Sequence, residues 1–311
     1  MWAGDATQLP GSSMNVGFIG LGTMGAPMAQ NVLKGGHRLI VADVQAAPVD
    51  KLVALGATKG TTPREVAAAS EIVITMLPDA PDVERVAFGP DGVIAGIRAG
   101  SIYVDMSTID PATTRKVGAA VAVKGAAMID SPVGKTADAA VAGTLTLMVG
   151  GAVDAIARCR PVLDCMGSDF FHCGELGAGQ TMKLINNLLA TAVSEASIEA
   201  LVAGTKSGLA LQTMMSVFST TMAWNNALAI ALPKRPLAGD FSPGFMLKLA
   251  HKDCRLALQM VEGLGVAAPV GRAALASVEE ALHRGLQDHD VGALLKLREE
   301  AVNVEVRLPK P

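Results

Sequence analysis

From residue 15 to about residue 175, short apolar runs alternate with Ala-rich stretches whose apolar positions recur at three- and four-residue spacing. "NVGFIG", "RLIVAD", "EIVITM", "SIYVDMS", "AAMID", "LTLMVG" and "DFFHC" read as strands. Between them, "MGAPMAQNVLK", "APVDKLVALG", "PREVAAA", "PATTRKVGAAVAVK" and "VDAIARCRPVLDCM" read as helices. That alternation predicts parallel β-α-β units. The texture changes after "GELGAGQ". Thr181 to Lys206 holds no Pro, and no Gly before Gly204, so it predicts one helix of roughly 40 Å closed by Ser207-Gly208. Further helical patterns follow, broken by Pro and Gly at 233–244 and 263–271. The expected architecture is a loose tail at 1–13, an α/β domain with a parallel sheet at 14–176, and an all-helical domain at 177–311. The long helix joins the two domains.

At 311 residues, both domains can bury a real core. A net charge of −3 exerts no general pull on nucleic acid or anionic membrane, so any anion must be met by a local cluster of cations. The first thirteen residues, "MWAGDATQLPGSS", lack the basic and apolar regions of a secretory signal. No uninterrupted apolar run reaches about 18 residues, so no membrane span is expected and a cytoplasmic location is. Cys159, Cys165, Cys173 and Cys254 form no C-x-x-C pair and have no His at metal-ligand spacing. They read as free thiols, and no metal site is expected.

Gly20-Leu21-Gly22-Thr23-Met24-Gly25 is G-x-G-x-x-G, directly after the first strand and at the opening of the first helix. In that setting the backbone can approach a pyrophosphate and the helix N-terminal N–H groups can face it, which makes the first domain Rossmann-type. Asp43 closes the second strand, where an acid hydrogen-bonds the adenosine ribose. A 2′-phosphate about 4 Å from that carboxylate would be repelled by roughly 4 kcal/mol at an effective dielectric of about 20. Val44-Gln45-Ala46 offers no arginine to offset it, so NAD is the expected cofactor and NADP is disfavoured.

Gly134-Lys135-Thr136 looks like the tail of a triphosphate-binding loop, but the glycine that pattern needs five residues earlier is Ile129. The triphosphate reading fails. Hydride transfer also needs a proton donor. His37, His172, His251, His283 and His289 have no acid placed for that work. Lys183, Asn186 and Asn187 stand at i, i+3 and i+4 near the start of the long helix and share one face. On the otherwise apolar "MKLINNLLATAV" such a cluster is costly unless ligand or partner groups meet it, and a solvated patch is the alternative.

"GFIGLGTMGAPMAQNVL", "DMSTIDPATT", "DSPV…AGTLTLMVGG", "GAGQTMKLINN" and "FSPGFMLKLAHKD" occur in this order. Together they resemble the β-hydroxyacid dehydrogenase family over residues 14 to 305. The resemblance implies that Gly20, Leu21, Gly22, Thr23, Met24, Gly25 and Asp43 bind the dinucleotide, with Leu77 and Pro78 along it. It places Ser107 and Thr108 beside nicotinamide and substrate, Lys183 as the catalytic lysine, and Asn186 and Asn187 on the substrate. Lys252 of "HKD" is expected to reach the cofactor from the helical domain. An unperturbed lysine, near pKa ~10.4, exchanges protons poorly at neutral pH; a helix N-terminus and desolvation favour the neutral amine.

The departure lies in the anion loop. Most of the family reads D-A-P-V-S-G-G where this chain reads Asp130-Ser131-Pro132-Val133-Gly134-Lys135-Thr136. A neutral cradle has gained a cation and a hydroxyl. This variant is similar to the 3-sulfolactaldehyde reductase branch of the family, where the basic residue engages a sulfonate. Lys135 is therefore expected to meet the anionic head of a small semialdehyde, with Ser107, Gly134 and Thr136 around it. 3-Hydroxyisobutyrate, tartronate semialdehyde and 4-hydroxybutyrate are the alternative substrates, and a non-catalytic NAD-binding module is the alternative of another class. A homodimer or homotetramer is expected, because the apolar helices exceed what one small domain covers.

Overall fold

The structure is a computed structural model that describes residues 13–308. The tail expected at 1–13 therefore lies, except for residue 13, outside the described residues. Two compact units divide the chain, one ending at Lys183 and the other beginning at Leu184.

The first unit is built on a sheet of nine described strands. They are β1 (Asn15–Ile19), β2 (Arg38–Ala42), β3 (Thr58–Lys59), β4 (Ile72–Thr75), β5 (Ile102–Asp105), β6 (Ala127–Asp130), β7 (Val133–Gly134), β8 (Leu145–Gly150) and β9 (Gly167–Gly174). Their order is β3-β2-β1-β4-β5-β6-β8-β7, with β9 on β8. β3 through β6 are mutually parallel; β8 runs antiparallel to β6 and β7 and parallel to β9. The expected parallel sheet is present as six strands, with a mixed edge beyond them. The strand order reverses direction between β1 and β4, the point where open α/β sheets take a dinucleotide.

Burial on both faces explains the apolar runs. Ile72, Ile74, Ile102 and Val104 enter one core cluster, while Val73 and Tyr103, between them, enter the other. Each fully buried Val, Leu or Ile contributes about 1.5–3 kcal/mol. Asp110 caps the helix Pro111–Val123 by accepting from the Thr113 N–H at 2.8 Å, with Pro at its first position.

The long helix spans Ala178–Lys206 and stops before Gly208, whose φ of +89° suits only glycine. The second unit packs Ile198, Leu201 and Val202 with Leu228, Leu247, Val278 and Leu294. The helices Leu211–Phe218, Leu247–Gly263, Pro269–His283 and Leu294–Val302 carry most of it. Among the described residues, Ala178–Lys206 is the one helix long and apolar enough to cross a membrane by length and composition, with mean hydropathy 1.3 over 18 residues. Polar residues interrupt its apolar run. Within the second unit those residues have partners: Glu195 pairs with Arg298, and Asn187 donates to Asp253.

Candidate active site

In the first unit, the residues singled out by sequence gather at the carboxyl ends of the parallel strands. The glycine loop follows β1, Asp43 follows β2, Leu77-Pro78 follows β4, Ser107-Thr108 follows β5, and Asp130 closes β6. This edge is where a doubly wound sheet exposes its binding crevice.

The three glycines of the loop differ in kind. Gly20 has φ +94°, and a Cβ there would strike the Met76 carbonyl. A Cβ on Gly25 would overlap the Gly20 carbonyl oxygen, so that glycine permits the close packing of helix on strand. Gly22 has no protein atom within 4 Å of where its Cβ would stand. Nothing in the fold asks for glycine at 22, so its face of the loop is open. The helix it leads into, Gly25–Lys34, has no side-chain cap and no acid in its first turn. In its first turn Ala26 and Met28 already donate to the Gly22 and Met24 carbonyls and Pro27 has no N–H, so a pyrophosphate would be met by the N–H groups of the glycine loop and by the helix dipole. Asp43 accepts from the Leu21 N–H (2.6 Å) through one oxygen and from the Gln45 N–H (2.8 Å) through the other. The acid is thereby aimed, with lone pairs left for ribose hydroxyls, and Val44 beside it is fully exposed. The residues fit a dinucleotide.

Behind the loop lies a buried polar cluster. The Ser107 hydroxyl donates to Asp105 Oδ1 at 2.6 Å and accepts from the Leu77 N–H at 2.9 Å. Thr75 also donates to Asp105 Oδ1, at 2.8 Å, and lies 3.0 Å from the Tyr103 hydroxyl. Asp105 and Ser107 are fully buried, whereas Thr108 is partly exposed. Ser107 therefore fixes Leu77 from behind, and Thr108 is the member of the pair that faces outward. Burial pushes the Asp105 carboxyl up to about 6, against the pull of its hydrogen bonds, and the charge of Asp130 adds to the rise.

A consequence follows for stability. Between about pH 4 and 6 the folded protein keeps a proton on Asp105 that the unfolded chain has released. Stability therefore falls as pH rises through that window, by about 3 kcal/mol from this group. Asp105→Asn should flatten that part of the profile, measured as denaturant midpoints from pH 4 to 8. An unchanged slope would refute the assignment.

Asp130, also fully buried, accepts from the Gly177 and Gln180 N–H groups, both at 2.7 Å, and so caps the long helix from another strand. Burial raises its carboxyl too. Lys183, nine-tenths buried, follows Gln180 by three residues on that helix.

The anion loop makes contacts within the first unit. Gly134 is buried and pairs with Thr146 between β7 and β8, while Lys135 and Thr136 are exposed. Lys135 adopts φ +75°, the left-handed region natural to the glycine it replaces in the family pattern. Its Nζ donates to Asp169 Oδ2 and to the Thr144 carbonyl, both at 2.6 Å.

In the second unit, the Asn186 amide donates to Asn187 Oδ1 (3.0 Å) and the Asn187 amide donates to Asp253 Oδ2 (2.6 Å). Lys252 Nζ lies 3.4 Å from Asp253 Oδ1. Asp253, only 2% exposed, thus joins three of the predicted residues. Sequence reasoning missed it, along with Asp105 and Gln180. Gln180 stands three residues before Lys183, and the spacing rule that gathered Asn186 would have found it. His251 stands 3.6 Å from Glu279.

Residues 15–174 match the family model described as the NAD binding domain of 6-phosphogluconate dehydrogenase. Residues 177–298 match the model described as NAD-binding of NADP-dependent 3-hydroxyisobutyrate dehydrogenase. The chain is 40% identical over 281 residues to 3-sulfolactaldehyde reductase of Escherichia coli (strain K12), covering 90% of this chain and 94% of that protein. It is 39% identical over 294 residues to 2-(hydroxymethyl)glutarate dehydrogenase of Eubacterium barkeri, covering 94% and 98%. Among solved structures, a Mycobacterium tuberculosis 3-hydroxyisobutyrate dehydrogenase with L-serine is similar at TM-score 0.86 and 32% identity, over 92% of this chain and 99% of that one.

Proposed function

Because this chain belongs to the β-hydroxyacid dehydrogenase family, nicotinamide-dependent oxidoreductases acting on CH–OH groups, we propose that it interconverts 3-sulfolactaldehyde and 2,3-dihydroxypropane-1-sulfonate with NAD(H). The observation that carries this choice is Lys135, a cation in a loop that most of the family keeps neutral. When bound, the dinucleotide supplies or accepts the hydride. Gly20 to Gly25 and Asp43 hold it, with Leu77, Pro78 and Thr108 along its path. Lys183 passes a proton to the oxygen of the reacting carbon, and Asn186 and Asn187 hold hydroxyl oxygens. Lys135 and Thr136, with the backbone of Gly134, take the sulfonate. Ser107 serves this arrangement by fixing Leu77.

The Lys135–Asp169 pair is half exposed, and exposed pairs contribute only about 0–1 kcal/mol. Such a pair exchanges readily for a substrate anion, whose charge-assisted contact contributes about 1.5–3 kcal/mol. That same pair favours a second reading. If Lys135 stays with Asp169, the substrate is a carboxylate such as 3-hydroxyisobutyrate or tartronate semialdehyde. Asp43 and the bare Val44 support NAD over NADP. Reliance on a cofactor of the cell interior supports a cytoplasmic location. Met182, Ile185 and Leu189, exposed by 43, 44 and 64% along the long helix, support a homo-oligomer.

The test is steady-state reduction of 3-sulfolactaldehyde, tartronate semialdehyde and methylmalonate semialdehyde with NADH and NADPH, repeated with Lys135→Gly. Glycine relieves the left-handed backbone strain and loses only an exposed ion pair and an exposed hydrogen bond to the Thr144 carbonyl, so the fold should be little affected. NADH should be preferred throughout. Lys135→Gly should lower kcat/KM for the sulfonate by about 10–100-fold and for the carboxylates by less than about threefold. Equal losses on all three substrates would remove the sulfonate from the proposal.

A further inference from the structure

We propose that Gln180 is a positioning residue that sets the place of Lys183 against the Ser107–Thr108 loop; this rests on the reading of Lys183 as the proton-exchanging group. Gln180 is fully buried, and each of its hydrogen-bonding groups is committed to one task. Its side-chain Oε1 accepts from the Ile109 N–H at 3.1 Å, and its Nε2 donates to the Ser107 carbonyl at 2.8 Å. The two bonds bracket Thr108 from either side. Its backbone N–H donates to Asp130 Oδ2. One residue thus ties the loop after β5 to the end of β6 through the first turn of the long helix.

The surroundings allow that turn little play. A Cβ on Gly179 would meet the Met148 carbonyl and would stand 2.8 Å from Asp130 Oδ2, so the helix start is pressed onto the strand ends. Gly177 enters with φ +93° and gives its N–H to the same carboxylate. Lys183 lies at i+3 from Gln180, on the same helix face. A shift of the loop relative to the helix is therefore a shift of Thr108 relative to Lys183. Near the reacting atoms, a displacement of about 1 Å costs about 100-fold in rate. An alkyl side chain in place of Gln180 would fill the same space yet release the loop, because nothing else in its position offers both a donor and an acceptor.

The experiment compares Gln180→Met and Gln180→Glu with wild type and with Lys183→Met. Gln180→Met should lower kcat by about 10–100-fold, with KM and the NADH dissociation constant within about threefold. In the Lys183→Met background it should cause no further loss, because its effect passes through that amine. Gln180→Glu keeps the acceptor for Ile109 and regains the donor for Ser107 only when its carboxyl is protonated. Its kcat should therefore rise on acidification relative to that of Gln180→Met. Asp105 and Asp130, Arg115 beside Gly177 and Lys183 one turn on are the charged groups around this turn; all are present in both variants, so comparing the two profiles removes their shared contribution. A Gln180→Met kcat within twofold of wild type, or a full additional loss in the double variant, would overturn the proposal. Should Gln180→Met fail to fold, Gln180→Glu decides alone: a pH profile parallel to wild type overturns it, and an acid-favoured one supports it. If Lys183→Met itself turns over normally, the reading of the lysine has failed instead, and the two failures are told apart.

Discussion

Replacing Lys183 with methionine should lower kcat by about three orders of magnitude while leaving NADH binding within about threefold of wild type. General acid–base catalysis by a positioned side chain contributes about 10²–10⁴-fold. Methionine keeps the length and apolar body of a stem that is nine-tenths buried, so packing is preserved and the amine alone is removed. The cofactor contacts assigned to the glycine loop and to Asp43 lie at the ends of β1 and β2, where the variant changes nothing. The measurement is NADH oxidation with a small semialdehyde, paired with a fluorescence titration of NADH. A kcat within tenfold of wild type would take the lysine out of the proton path. An equal fall in turnover and in NADH affinity would instead assign it to cofactor binding.

Much of this arrangement is legible from residue order alone, and the parts that are not share a cause. The glycine loop and Asp43 could be read because a strand, a turn and a helix each leave a local signature within a few residues. The long helix could be read because Thr181 to Ala203, 23 residues without Gly or Pro, admits few alternatives. β3 and β7, of two residues each, are too short to show any alternation. The helices Ala80–Phe88 and Ala137–Ala142 were missed because strand and loop motifs on either side drew the segmentation. Asp105, Asp130 and Asp253 work through partners that are distant in sequence. Asp130 lies 47 residues from Gly177, and Asp253 lies 66 from Asn187. Such pairings are created by the tertiary fold, and no window of residues contains them. Lys135 shows the reverse limit. Its charge is plain in the sequence, but its engagement with Asp169 on β9 depends on a strand pairing that only the fold supplies.

Gly22 and Gly25 share one motif, and their replacement should separate cofactor binding from folding. Gly25→Ala places a methyl group onto the Gly20 carbonyl. That carbonyl has little room to move, because the Gly20 N–H is held by the Ala42 carbonyl at 3.0 Å and the Met76 carbonyl occupies the place where a Gly20 Cβ would stand. Helix and strand must part, at a cost of about 3 kcal/mol or more. That is a large share of the roughly 5–15 kcal/mol that stabilises a typical domain. A Cβ at position 22 would meet no protein atom within 4 Å, and the backbone there is outside the left-handed region, so Gly22→Val should shift melting little. Its branched side chain would fill the space into which a pyrophosphate must come. A clash of about 2–3 kcal/mol there weakens NADH by about 100-fold. Thermal melts and NADH titrations of the two variants form the test. An unaltered NADH affinity in Gly22→Val would mean that the bare face of the loop serves no ligand, and the assignment of the first unit to the dinucleotide would lose its structural support.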